Sequence, residues 1–314
     1  MSDRTLYSPP ATGVHSWLFG RAAYLRRSGR DQLTALSDLS AHVATTTFRA
    51  GRAVSAREIS DAVEAAYRGA LTSPPPSRSG NPAAAEPHVA AYDPINGWPS
   101  EMHTARAELN TARLARVLKA AGNFELVDFW EKSPVRPADN VGPLWALEHL
   151  FAPDDLLCVG RTSKDFGAKP LRDWSSSELG TAQFIVPNPL RKPIGTTKSG
   201  IESSHCREAT GARRYLIFES DAELTTDDQA KILNHLQTVT NARLAAVVWS
   251  GGKSLHGWFR VGDTSAAVMH KWFRYAVSLG ADPRLWFPEQ FVRLPDGTRD
   301  NGKRQSIIFL NPAA

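Results

Sequence analysis

Strand, helix, strand and glycine turn follow one another without interruption between residues 213 and 258, which read RRYLIFESDAELTTDDQAKILNHLQTVTNARLAAVVWSGGKSLHGW. The run Tyr215–Ser220 is β-rich and apolar, and it ends on two acids one residue apart, Glu219 and Asp221. Side chains alternate faces along a strand, so these carboxylates share a face. Two like charges that close repel unless a cation sits between them. A hard divalent ion such as Mg²⁺ takes oxygen ligands of this kind, commonly one or two carboxylates with substrate phosphates. The next strand, Leu244–Ser250, runs straight into Gly251-Gly-Lys-Ser-Leu-His256. An acidic strand end and a turn of glycine, lysine, serine and histidine therefore lie two elements apart. That pairing points to a metal ion and a phosphorylated substrate.

The 314 residues allow two or three domains. A net charge of +5 permits nucleic acid as a partner, though a basic soluble enzyme has the same balance. The two cysteines, Cys158 and Cys206, are far apart and form no C-x-x-C, so no structural zinc is expected. A reducing, cytoplasmic setting follows. No apolar run has the length of a membrane span, roughly 18 residues, and no signal core opens the chain, so neither membrane nor export is expected.

Residues 1–72 are predicted to form a helical domain. Val14, Trp17, Leu18, Ala22 and Leu25 recur at helical spacing, Leu33, Leu36, Leu39 and Val43 repeat it, and Ser55-Ala-Arg-Glu58 is a capping box opening a third helix. A packing or docking module and a helix-turn-helix DNA binder are both compatible with three such helices. Residues 73–94, rich in proline and alanine, read as a linker. Residues 95–314 make the second domain, with a core over about 205–314. There, His103–Ala121 and Leu144–Phe151 are predicted helices, and Leu156–Gly160 and Gln183–Val186 predicted strands. Thr226-Asp-Asp-Gln229 is expected to cap a helix reaching about Val239. A strand over 255–261, a helix over Ala266–Leu279 and a strand over Ser306–Leu310 complete the chain. The order β-α-β-β-α-β is that of the split βαβ unit in ferredoxin-like, RRM-like folds, so the fold class is α+β.

The turn at Gly251-Gly-Lys-Ser254 is not a Walker A loop. The required first glycine is replaced by Val247, and a strand rather than a helix follows. It reads instead as a tight β-turn whose amides, with Lys253, can approach an anion. Ser254 and His256 are two apart on the following strand and share a face. For His256 taken alone, a hydrogen-bonded core histidine is the plainer reading.

Taken together, E-x-D at Glu219 and Asp221, S-x-H at Ser254 and His256, a later acid at Asp282, and Arg293-Leu-Pro before a basic segment resemble the catalytic core of archaeo-eukaryotic primases, the primase-polymerase superfamily of phage and mobile-element replication modules. The resemblance covers roughly residues 130–314 and is tightest over 213–310. It departs from the family's first motif in having Glu rather than Asp first. It implies template-dependent nucleotidyl transfer with two Mg²⁺ or Mn²⁺ ions held by Glu219, Asp221 and Asp282, with Glu289 as a rival for the third acid. It further implies that Lys253, Ser254, His256 and Arg293 bind the incoming NTP or dNTP, and that Arg299, Lys303 and Arg304 contact a single-stranded DNA template. For the last three, a solvated basic face is the alternative. A separate helicase or replication initiator is the implied partner, since no helicase motor is present.

Three other readings compete. A rolling-circle nuclease needs His-x-His, and no two of the nine histidines are two apart. An RNA-recognition sheet needs an aromatic signature that is missing. The remaining alternative is a non-catalytic replication initiator or adaptor with a primase-like fold.

Overall fold

Three N-terminal helices, α1 (Val14–Arg27), α2 (Gln32–Ala44) and α3 (Ala56–Tyr67), pack on each other around Leu18, Ala22, Ala35, Leu39, Ile59 and Val63. The computed structural model describes residues 14–27, 30–44, 53–67, 98–136, 141–220 and 222–314. The stretch read as a linker over 73–94 lies outside the described residues, and so does Asp221. The capping box at Ser55 forms as expected: Glu58 N donates to Ser55 Oγ, and Ser55 N donates to the Glu58 carboxylate. The inward face of α2 differs from the expected one. Leu33, in the first turn of the helix beside the Asp31 cap, is 77% exposed, and Ala35, about 200° further round the helix, is buried instead.

After these come α4 (Ser100–Thr104), α5 (Thr111–Ala120), α6 (Leu126–Lys132) and α7 (Gly142–Leu150). The single helix expected over 103–121 is therefore two. Asn110 interrupts it, accepting from Arg113 N as the N-cap of α5, and Leu109 in the break is exposed. The N-terminal group docks through Arg26, which donates to Ala66 O and to the Glu125 carboxylate just before α6.

Next in order are β1 (Leu156–Gly160), β2 (Phe166–Pro170), α8 (Ser176–Gly180), β3 (Phe184–Ile185), β4 (Gly195–Thr196) and β5 (Glu202–Ser203). The remaining elements are β6 (Tyr215–Glu219), α9 (Thr226–Thr240), β7 (Arg243–Trp249), β8 (Leu255–Arg260), α10 (Ala266–Ser278), a 3-10 turn over Pro283–Trp286, β9 (Val292–Arg293) and β10 (Ile307–Leu310). The cap of α9 sits one residue earlier than expected: Thr225, not Thr226, accepts from Asp228 N. That frees Gln229 to turn inward, where it donates to Lys253 O and accepts from Leu255 N. Asn241, at φ 51°, ends the helix in the left-handed region that Asn tolerates better than most residues.

The fold is α+β with antiparallel sheets. One sheet has the order β10-β7-β8-β6 and the other β2-β1-β3-β9, beside a small β4-β5 pair. Since β8 pairs antiparallel with both β6 and β7, those two run parallel with β8 between them. The helices α9 and α10 cover one face. Leu233 of α9 lies against Gly257, and Trp272 of α10 lies 4.7 Å from Phe259, ring to ring. Past α10 the chain does not enter the last strand directly. It returns to the β6 edge as a single bridge, Ser220 with Ala281, crosses into the second sheet as β9, and only then reaches the far edge as β10 beside β7. This detour joins the two sheets and carries Arg293 toward the end of β6.

Candidate functional site

The end of β6 is where the site is built. Tyr215, Leu216, Ile217 and Phe218 are all buried, so Glu219 emerges from a packed strand with its side chain only 29% exposed. The register places it directly opposite His256 on β8. His256 Nε2 lies 3.3 Å from Glu219 Oε1, and the same oxygen accepts a hydrogen bond of 3.2 Å from Ser254 Oγ. Ser250, the last residue before the turn, supports this hydroxyl: Ser254 Oγ is 3.0 Å from Ser250 Oγ, and Ser254 N donates to Ser250 Oγ.

Burial alone would raise the Glu219 pKa. The His256 imidazole, the Ser254 hydroxyl and the Arg293 guanidinium overcome it and hold the carboxyl at about 2. Glu219 is thus an anion at any ordinary pH. His256 is 1% exposed; its Nε2 meets the Glu219 carboxylate at 3.3 Å, and its Nδ1 is buried without a hydrogen-bond partner among the described residues. An orphaned buried nitrogen costs about 1–3 kcal/mol.

Arg293 reaches the site from the second sheet. Its Nη1 donates to Gln183 Oε1 at 3.1 Å, and its guanidinium lies 4.6 Å from the Phe184 ring centre. Gln183 is itself fixed, donating to Asp300 Oδ1 and Arg161 O. Burial lowers the Arg293 pKa, and nearby Arg299 lowers it further, against Glu219 and Asp300.

The glycine turn between β7 and β8 is closed from behind. Gly251 has φ 72°, and a Cβ there would stand 2.6 Å from Arg304 O, so the position needs glycine for both conformation and space. Two carbonyls of the turn are held inward, Gly252 O by Trp249 Nε1 and Lys253 O by Gln229 Nε2. Lys253 itself is exposed. The basic segment folds over this turn: Arg299 Nη1 is 3.4 Å from Ser250 O, while Lys303 is exposed. Arg304 is tied differently, through Nε to Asp296 Oδ1 at 2.6 Å, with Asp296 5% exposed.

Asp282 comes to the same strand end by its backbone, its N donating to Glu219 O at 2.9 Å. Its carboxylate is engaged locally. Oδ1 accepts from Arg284 N at 2.8 Å, capping the 3-10 turn, and the Arg284 guanidinium pairs with it. Glu289 acts elsewhere, on Arg213 and His205. Among the described residues no group of three or more His, Cys, Asp or Glu stands arranged to hold a metal ion.

The structure therefore brings together Glu219, Ser254 and His256, with Arg293 close by and Arg299 behind the turn. Sequence reasoning missed Gln183 and Ser250. Gln183 opens a short apolar run with no distinguishing pattern, whereas the second hydroxyl of Ser250-x-x-x-Ser254 was readable as flanking the turn. Among the described residues no helix is long and apolar enough to cross a membrane. No protein-family model, curated protein or solved structure matches the chain.

Proposed function

We propose that this chain is a metal-dependent nucleotidyltransferase of the primase-polymerase kind acting on a single-stranded DNA template, although β10 joins the sheet beside β7 and not beside β6, where an RRM-like core would put it. The observation that carries the reading is the convergence of Glu219, Ser254 and His256 on one oxygen at a sheet end, within reach of Arg293. The ionised carboxylate of Glu219 is a hard oxygen donor suited to Mg²⁺ or Mn²⁺. Asp221, two residues on, is the proposed second ligand. Asp282 fits less directly, since its carboxylate must first leave Arg284. Bound divalent ions would supply activation of a hydroxyl nucleophile and charge stabilisation of a leaving pyrophosphate.

The chain's own residues bind and orient. His256 offers a buried ring nitrogen to a phosphate oxygen, Ser254 its hydroxyl and Lys253 a charge on a flexible stem. Arg293, clamped by Gln183, meets the phosphates from the opposite sheet. A fixed guanidinium in a partly buried setting stabilises developing phosphate charge strongly. Arg299 and Lys303 stand toward the template, and a separate helicase or replication initiator opens the duplex.

A second reading, a non-catalytic single-strand-binding initiator or adaptor, draws support from the commitment of Asp282 to Arg284. One experiment separates the two. The protein and its Glu219→Gln and Asp221→Ala variants are incubated with single-stranded template, labelled nucleotides and Mg²⁺ or Mn²⁺. Template-dependent product that vanishes in both variants supports the enzyme. Strand binding without product, equal in all three proteins, supports the adaptor and removes the enzyme reading.

A further inference from the structure

Four arginines gather at the opposite end of the same sheet. Arg191, Arg213, Arg214 and Arg260 line a cleft of about 440 Å³ whose lining includes only one carboxylate, that of Asp263. Arg260 pairs in register with Tyr215 at the start of β6, four residues from the Glu219–His256 pair. At about 3.3 Å per residue the two ends are about 13 Å apart, so the cleft is not part of the site around Glu219.

The charges there are poorly compensated. Arg214 makes a two-pronged pair with Asp155, and Arg213 feels the Glu289 carboxylate without a salt bridge to it among the described residues. Arg213 donates to Trp286 O and lies over the Trp286 ring, and Arg191 Nε donates to Glu208 O. Arg260 gives one amine to Tyr215 Oη, while its Nε is buried without a hydrogen-bond partner among the described residues. Arg243 stands directly across from Arg260 in the β7–β8 ladder, a like-charge pairing that destabilises a sheet. Gly262 keeps the backbone low beside them: a Cβ there would meet the Arg243 guanidinium at 2.9 Å.

A sheet end that concentrates guanidinium groups, leaves one Nε unsatisfied and keeps a glycine rim is arranged for an anion that can bridge several of them. Phosphate matches best, because guanidinium forks pair with its oxygens two at a time. We propose that this cleft is a second phosphate-binding site, separate from the one around Glu219. Its ligand is a chain of linked phosphates, taken either from a nucleic-acid backbone or from a free oligophosphate. The proposal does not rest on the enzymatic reading, since none of its residues belongs to the Glu219 end.

The test uses the full chain in chelator-containing buffer, with inorganic pyrophosphate and a fluorescein-labelled thymidine oligonucleotide as probes. Arg191→Ala changes an exposed side chain and Arg260→Gln keeps a donor for Tyr215; circular dichroism checks that each folds. Pyrophosphate affinity by calorimetry should fall about tenfold in each variant. If the backbone of a strand is the source, the salt dependence of oligonucleotide binding should also flatten, by about 0.7 in log-log slope for each phosphate the variant no longer neutralises. Weakened pyrophosphate binding with an unchanged oligonucleotide slope assigns the site to a free oligophosphate. Wild-type affinity for both probes in folded Arg191→Ala overturns the proposal, and that variant decides alone if Arg260→Gln does not fold.

Discussion

Glu219 and His256 face each other across the β6–β8 pair, with Nε2 3.3 Å from Oε1 and the imidazole almost wholly buried. A histidine in that position is neither a surface residue nor a satisfied core residue. Its neighbour is an anion, and its second ring nitrogen, Nδ1, has no hydrogen-bond partner among the described residues. The pair is therefore the point at which function is most directly open to test.

His256→Ala should raise the nucleotide KM of the proposed reaction, with a loss of about 1–3 kcal/mol in transition-state binding. Ser254→Ala, which removes the 3.2 Å bond to Glu219, should lose less, about 1 kcal/mol. Steady-state kinetics with varied nucleotide checks both. An unchanged KM for His256→Ala would remove this residue from the site.

Gln183→Ala should act through Arg293. It deletes the 3.1 Å anchor of that guanidinium and leaves Arg161 O and Asp300 without their donor. A cost of about 0.5–1.5 kcal/mol in stability is expected from the lost hydrogen bonds, since Arg161 and Asp300 are exposed and water can replace the donor. Gln183→Glu, which can still accept from Arg293, should restore nucleotide binding better than Gln183→Ala. Denaturant melts beside nucleotide titrations separate the two effects.

Gly257→Ala tests how tightly α9 sits on the sheet. A Cβ at this position would stand 2.2 Å from Leu233 Cδ2, so the leucine or the helix must move. Overpacking of this kind costs about 1–3 kcal/mol. A lowered melting temperature with Gly257→Ala, partly recovered by adding Leu233→Val, is the expected result.

Acid sensitivity should be traceable to Glu178. Its bonds with Lys169 and then Ser175 hold the carboxyl at about 2, below its ordinary 4.5. A carboxyl depressed in the folded state adds stability above its unfolded pKa and loses it as pH falls toward the folded one. The stability difference between the wild type and Glu178→Gln should therefore be present at neutral pH and shrink between about pH 4.5 and 2. Chemical denaturation at a series of pH values measures it.

Much of the local structure was legible in the residues themselves. The capping box at Ser55, strand β1 and the β6–α9–β7–β8 succession follow from short-range rules of periodicity and capping, and they formed where those rules put them. Ser254 and His256 share a face of β8 by alternation along the strand, but their meeting with Glu219 comes from the pairing of β6 with β8 across an intervening helix and strand, and only the primase resemblance led to that expectation. Where local signals competed, the outcome differed: Thr225 caps α9 in place of Thr226, two helices flank Asn110 where one was expected, and Ala35 rather than Leu33 faces inward.

Tertiary structure decided what no local rule reaches. Val292–Arg293 joined a sheet whose other strands lie more than a hundred residues earlier, and this alone carried Arg293 to Gln183 and toward Glu219. Asp282 reached the β6 edge through its backbone while its carboxylate turned to Arg284, and Arg304 went to Asp296 rather than outward. Spacing in a sequence sets which face a side chain takes within its own strand or turn. Which distant partner then claims its charge depends on how the sheets come together, and pairing of that range leaves no periodic trace in the chain.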